Sequence, residues 1–152
     1  MRRELLLQDL AEVNAECDRL LRSGYVRHGN WTLGQICRHL KLTIDANVDG
    51  YPWWMTALGL PLRPILRRVM LPRLLRGRSP SGIKTAARFV PPAGLDDAAE
   101  VASFKECVDR YRTRRDRLHP HPGFGGLTPE TFDRFHAAHA AHHLSFLDVK
   151  PS

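Results

Sequence analysis

Two histidines one helical turn apart, His139 and His143, carry the clearest chemical signal in this chain. At i and i+4 their imidazoles leave the same side of a helix and can close on one metal ion. They lie in Phe135–Leu147, thirteen residues that hold four of the protein's eight histidines. Two protein ligands make a poor site, and His39 supplies a third from a segment distant in sequence. Three neutral imidazoles with an open position suit zinc or nickel. Such an ion lowers the pKa of a bound water or stabilises a bound thiolate. The plain structural alternative is that each inward ring is a hydrogen-bonded core residue, because an unpaired polar ring is costly to bury.

The remaining histidines are weaker candidates. His136 and His142 stand three residues either side of His139, as spare ligands, acid/base groups or exposed residues. His119 and His121 flank prolines in a loop, where a turn role is the default. No H-E-x-x-H is present, so a zincin protease is not supported, and there is no recognisable nucleophile motif and no glycine-rich loop after a strand to cradle phosphate.

The elements that must position these residues read as helices. Thr128 suits an N-cap and Pro129 the first helical position of the histidine helix. Phe132, Phe135, His139, His143 and Phe146 recur at spacings of three and four, and the phenylalanines mark that face as inward. A first helix is expected over residues 4–22, striped by Leu6, Leu10, Val13, Cys17 and Leu20. A second opens at Trp31–Gln35, where Thr32 and Gln35 have capping-box spacing, and carries His39 on the edge of its apolar stripe. A third runs from Asp96-Asp97 to about Leu118, with Tyr111 and Arg115 as candidate substrate-orienting groups.

Residues 50–95 differ in kind. Glycine and proline punctuate the whole stretch, leaving room for a short helical piece over 64–75 and an extended run over 84–92. Trp53-Trp54 is expected to cap the bundle, with the mouth of a pocket as the alternative, and the arginine cluster from Arg63 to Arg78 to be a solvated face. The fold class is therefore all-α: a four-helix bundle, one domain over 1–152, with a long irregular crossover between helices two and three. No alternation supports a sheet.

Composition adds little. A length of 152 residues, 43% hydrophobic, suits one soluble globular domain. The net charge of +7 rests on arginines in several segments and is a weak hint of an acidic partner. No run is long and apolar enough for a membrane span, and the opening apolar run stops at Gln8-Asp9, so secretion is not expected. Cys17, Cys37 and Cys107 form no C-x-x-C and are expected to be reduced, as in a cytoplasm.

Three motifs in order resemble a known group. Trp31-Thr32 followed by His39-Leu40 resembles the second-helix signature of the DinB/YfiT-like metalloenzymes, and His139-Ala140-Ala141-His142-His143 resembles their last-helix H-x-x-H-H. His121-Pro122-Gly123-Phe124-Gly125-Gly126-Leu127-Thr128 followed by His139 to Leu147 is similar to the branch called domain of unknown function 1569. The resemblance implies a four-helix bundle holding a divalent metal on His39, His139 and His143. It implies a small-molecule substrate, a low-molecular-weight thiol such as mycothiol or bacillithiol, and a homodimer. The reading is then a metal-dependent thiol S-transferase or small-molecule hydrolase. Its alternatives are a non-enzymatic metal- or ligand-binding stress-response protein, and a basic nucleic-acid or membrane-surface binder, with nucleic acid the less expected partner.

Overall fold

A computed structural model describes residues 2–151. Four long helices form the frame: α1 (Leu10–Ser23), α2 (Leu33–Asp49), α6 (Asp97–Thr113) and α7 (Pro129–Leu144). Between α2 and α6 the crossover carries α3 (Trp53–Gly59), α4 (Arg63–Ile65) and α5 (Leu71–Leu75), joined by a 3₁₀ turn at Leu60–Leu62 and a π turn at Leu66–Met70. The expected bundle with a long crossover is present, and α2 against α6 is its most extensive pairing.

Local chemistry fixes the helix starts. At α2 the Thr32 hydroxyl accepts from the Gln35 amide at 3.2 Å, and the Gln35 side chain accepts from the Thr32 amide at 3.0 Å. Asp97 supports the same end from α6: its carboxylate accepts from the Gly34 amide at 2.7 Å and from the Tyr25 hydroxyl at 2.7 Å. A carboxylate at a helix N-terminus meets unpaired amides and the positive end of the helix dipole. Thr128 caps α7 by accepting from the Thr131 amide, with Pro129 in the first turn.

Several expectations are corrected. Helix α1 begins at Leu10 rather than residue 4, because Asp9 caps it by accepting from the Glu12 amide at 2.9 Å. Leu6, placed on the core stripe, is exposed. Helix α6 stops at Thr113, where the Arg114 amide turns back to the Tyr111 carbonyl. A two-stranded antiparallel ribbon, β1 (Tyr25–Arg27) with β2 (Leu147–Val149), stands where no sheet was expected, and β2 takes Leu147 from the histidine helix. Strands of three residues are too short to show alternation. The run over 84–92 is not uniformly extended, since Ala87–Phe89 closes a 3₁₀ turn. The crossover is more helical than 64–75, because Pro61, Pro64 and Pro72 each sit at the start of a new segment, where a missing N–H costs nothing.

The core joins Val13, Cys17 and Leu20 of α1, Leu33, Leu40 and Ile44 of α2, Phe104 and Val108 of α6, and Ala137, Ala140 and Leu144 of α7. On α7 the innermost face is therefore the alanine–leucine one. Phe132 is buried, but Phe135, His139, His143 and Phe146 are only half-buried and face the crossover side. All three cysteines are free and buried. Trp53 does not cap the bundle; it is 80% exposed.

Candidate metal centre

Helices α2 and α7 bring His39, His139 and His143 together. Their ligand nitrogens all lie within 4.8 Å of one another. His139 Nε2 is 3.2 Å from His39 Nε2 and 3.1 Å from His143 Nε2. Imidazoles on one tetrahedral ion, with metal–nitrogen bonds of about 2.0–2.1 Å, would have nitrogens roughly 3.3 Å apart. The two separations from His139 fit that requirement.

The proton inventory fits it as well. His39 Nδ1 lies 2.8 Å from the Phe89 carbonyl. A carbonyl only accepts, so the proton sits on Nδ1 and the Nε2 lone pair of the neutral ring faces the other two histidines. Outer-shell bonds of this kind orient metal-ligating histidines. Among three neutral rings, the two contacts to His139 Nε2 can include at most one well-aligned N–H···N bond, because that atom either donates or accepts. A cation at the convergence could accept from all three lone pairs, which a single proton cannot do.

Burial holds all three rings below the ordinary histidine range. For His39 it outweighs the opposing bond to the Phe89 carbonyl. His139 and His143 lie well below it, through burial first and the neighbouring histidines second. Neutral rings are the form a metal needs. Trp31, the residue before the α2 cap, stacks on His143 at 5.4 Å and tilts against His39 at 5.0 Å, so α2 and α7 share one aromatic clamp. Phe135 stacks on His139 at 6.1 Å.

Two clefts reach these rings. One of about 320 Å³ is lined by His39, His139, Tyr51, His121 and Phe135. The other, of about 500 Å³, is lined by His143, His142, Trp31, Asn30 and Lys84. Thr85 of the crossover lines both. His121, expected only in a turn, enters the first cleft. Its Nδ1 accepts from the Gly123 and Phe124 amides at 3.0 and 3.2 Å, so the neutral ring carries its proton on Nε2. Burial and the nearby Arg63 push this histidine down to about 4. The signal for His121 lay in its Pro-Gly-Phe-Gly-Gly neighbourhood, which bends the amides back onto the ring.

The other candidates stand elsewhere. His136 is buried, not exposed; its Nε2–H donates to Asn47 Oδ1 at 2.9 Å, and Asn47 Nδ2 donates to the His119 carbonyl at 2.7 Å. His142 Nδ1 accepts from Arg2 at 3.1 Å. Tyr111 and Arg115 are not substrate-orienting groups at the histidines. The Tyr111 hydroxyl donates to Asp133 at 2.8 Å and Arg115 binds the same carboxylate at 2.7 Å, tying α6 to the start of α7.

An all-α bundle with three histidines grouped so that they could hold a metal defines the class. Over residues 1–150 the chain matches the family described as "Protein of unknown function (DUF1569)", and it belongs to that family. No curated protein and no solved structure matches it.

Proposed function

We propose that this protein is a metal-dependent enzyme acting on a small molecule, with the ion held by His39, His139 and His143. The observation that carries the reading is the convergence of three imidazole nitrogens, one with its tautomer set by the Phe89 carbonyl. Zinc and nickel suit an all-imidazole donor set. The ion would supply Lewis acidity, drawing the pKa of a coordinated water or thiol toward neutrality.

The two clefts favour a thiol S-transferase over a hydrolase. One is lined by His39 and His139 and the other by His143, so two partners could be bound beside the same histidines, whereas hydrolysis needs one pocket and water. The DinB/YfiT-like resemblance supports the same choice, with a low-molecular-weight thiol as one partner. In the smaller, aromatic-lined cleft His121 offers a fixed Nε2–H donor, and its neutrality keeps it a donor without charge. This pocket suits an apolar small molecule with one hydrogen-bond acceptor.

The test is metal content of protein purified without a polyhistidine tag, beside His143→Ala. Wild type is expected to hold about one zinc or nickel per chain after reconstitution, and the variant to lose most of it while keeping its helical circular dichroism. Full retention by the variant would remove His143 from the site.

A further inference from the structure

Arginine occurs along the whole chain, yet the charge imbalance does not. Residues 50–95 contain eight cations (Arg63, Arg67, Arg68, Arg73, Arg76, Arg78, Lys84 and Arg88) and no aspartate or glutamate. The rest of the chain holds 23 − 8 = 15 lysines and arginines against 16 acidic residues, for a charge of −1. The entire net charge of +7 is thus +8 from the crossover and −1 from everything else. Among the described residues, none of these eight side chains pairs with a carboxylate, whereas Arg19, Arg38, Arg110 and Arg115 in the bundle all do.

The same segment carries most of the exposed large hydrophobics. Of twelve exposed large hydrophobics among the described residues, seven fall in the seventeen residues from Trp53 to Val69. Trp53 is 80% exposed, Leu58 68% and Ile65 65%, with Leu60, Leu62 and Val69 close behind. Scattered single hydrophobics are ordinary on a protein surface, whereas seven within one short segment are the pattern from which an interaction surface is built.

We infer that the crossover docks this protein on the surface of an anionic phospholipid bilayer. Tryptophan and aliphatic side chains beside an excess of arginine are the composition of a helix lying in the membrane interface. Among the described residues no helix is long and apolar enough to cross a membrane, and the attachment proposed is a peripheral one. Charge separates this occupant from a second copy of the chain. A two-fold contact places the same patch on both sides, and here it would set arginines without carboxylate partners, such as Arg68, Arg73 and Arg76, against their own copies. Chemistry separates it from nucleic acid, which would use the arginines but gives the exposed leucines, isoleucine and valine nothing to bury against.

Co-sedimentation of the metal-reconstituted 152-residue chain with vesicles tests the inference. The vesicles are phosphatidylcholine, alone or with about a third phosphatidylglycerol, an anionic fraction that attracts basic segments. The protein is expected to pellet with the anionic vesicles and stay in solution with the neutral ones. Trp53→Ala with Leu58→Ser should abolish pelleting. Each neutral replacement among Arg68, Arg73 and Arg76 should weaken it about fivefold. All five positions are exposed, so unchanged metal content and melting temperature will show that these variants are folded. Failure to pellet, equal pelleting with neutral vesicles, or variants that pellet like wild type would overturn the proposal. So would a dimer that Trp53→Ala converts to monomer without any lipid binding, or DNA binding that the Trp53 and Leu58 replacements leave intact.

Discussion

His136 shows how far one side chain can be read from its surroundings. Spacing alone left it open as a ligand, an acid/base group or an exposed residue; its bond to Asn47 makes it a strut between α7 and α2. Burial, with a smaller contribution from His121, pushes it down to about 3, while an unfolded histidine titrates near 6.5. Between those values the unfolded chain binds the extra proton, so stability is present above about 6.5 and falls as pH drops through the window. Metal-free protein should therefore lose stability on acidification from about pH 6.5 to about 4, with His136 alone contributing roughly 1 kcal/mol per pH unit. Urea midpoints across that range would test this. His136→Gln should flatten the slope, and equal slopes for the two proteins would argue against a buried neutral histidine. Histidine identity and spacing were legible in the sequence; the tautomer of His39 was not, because the Phe89 carbonyl that sets it lies 50 residues away along the chain.

At the scale of elements, the helices that start with strong local chemistry were the readable ones. Thr32 with Gln35, Asp96, and Thr128 with Pro129 mark their boundaries within a few residues of sequence. The ribbon was illegible, since Tyr25–Arg27 and Leu147–Val149 specify each other only after the bundle has brought them together. Phe135 and Phe146 misled for a related reason. They pack on neighbouring rings at the cleft walls, while alanines allow α7 to approach the core closely. Two substitutions test the elements that place the site. Thr32→Ala removes the α2 cap and should cost about 1 kcal/mol in chemical denaturation, a loss that an intact stability would contradict. Gly59 lies where α3 meets the loop carrying His121; a Cβ there would overlap the Pro122 carbonyl. Gly59→Ala should cost roughly 1–3 kcal/mol through overpacking, read as a lower melting temperature. An unshifted melting temperature would mean that the loop moves aside freely.

For the whole molecule, the metal proposal makes an energetic claim. An ion that binds the folded state alone adds stability by mass action, about 2.7 kcal/mol at a hundredfold excess over its Kd. For a chain of this size that corresponds to a rise of roughly 5–10 °C in melting temperature. Removing metal with a chelator should reverse the shift, and His143→Ala should abolish it. The bundle with its long crossover could be anticipated from the sequence because helix count and connection length are local properties. The crossover's surface was less legible: its charge excess was diluted by the arginines elsewhere, and its hydrophobics could not be known to be exposed until the bundle was in place.

X-ray absorption at the metal edge of untagged, reconstituted protein tests the central claim most directly. Coordination by three imidazole nitrogens at about 2.0–2.1 Å is expected, falling to two in His39→Ala. An edge spectrum with fewer than three imidazoles in wild type, or one unchanged in that variant, would contradict the account.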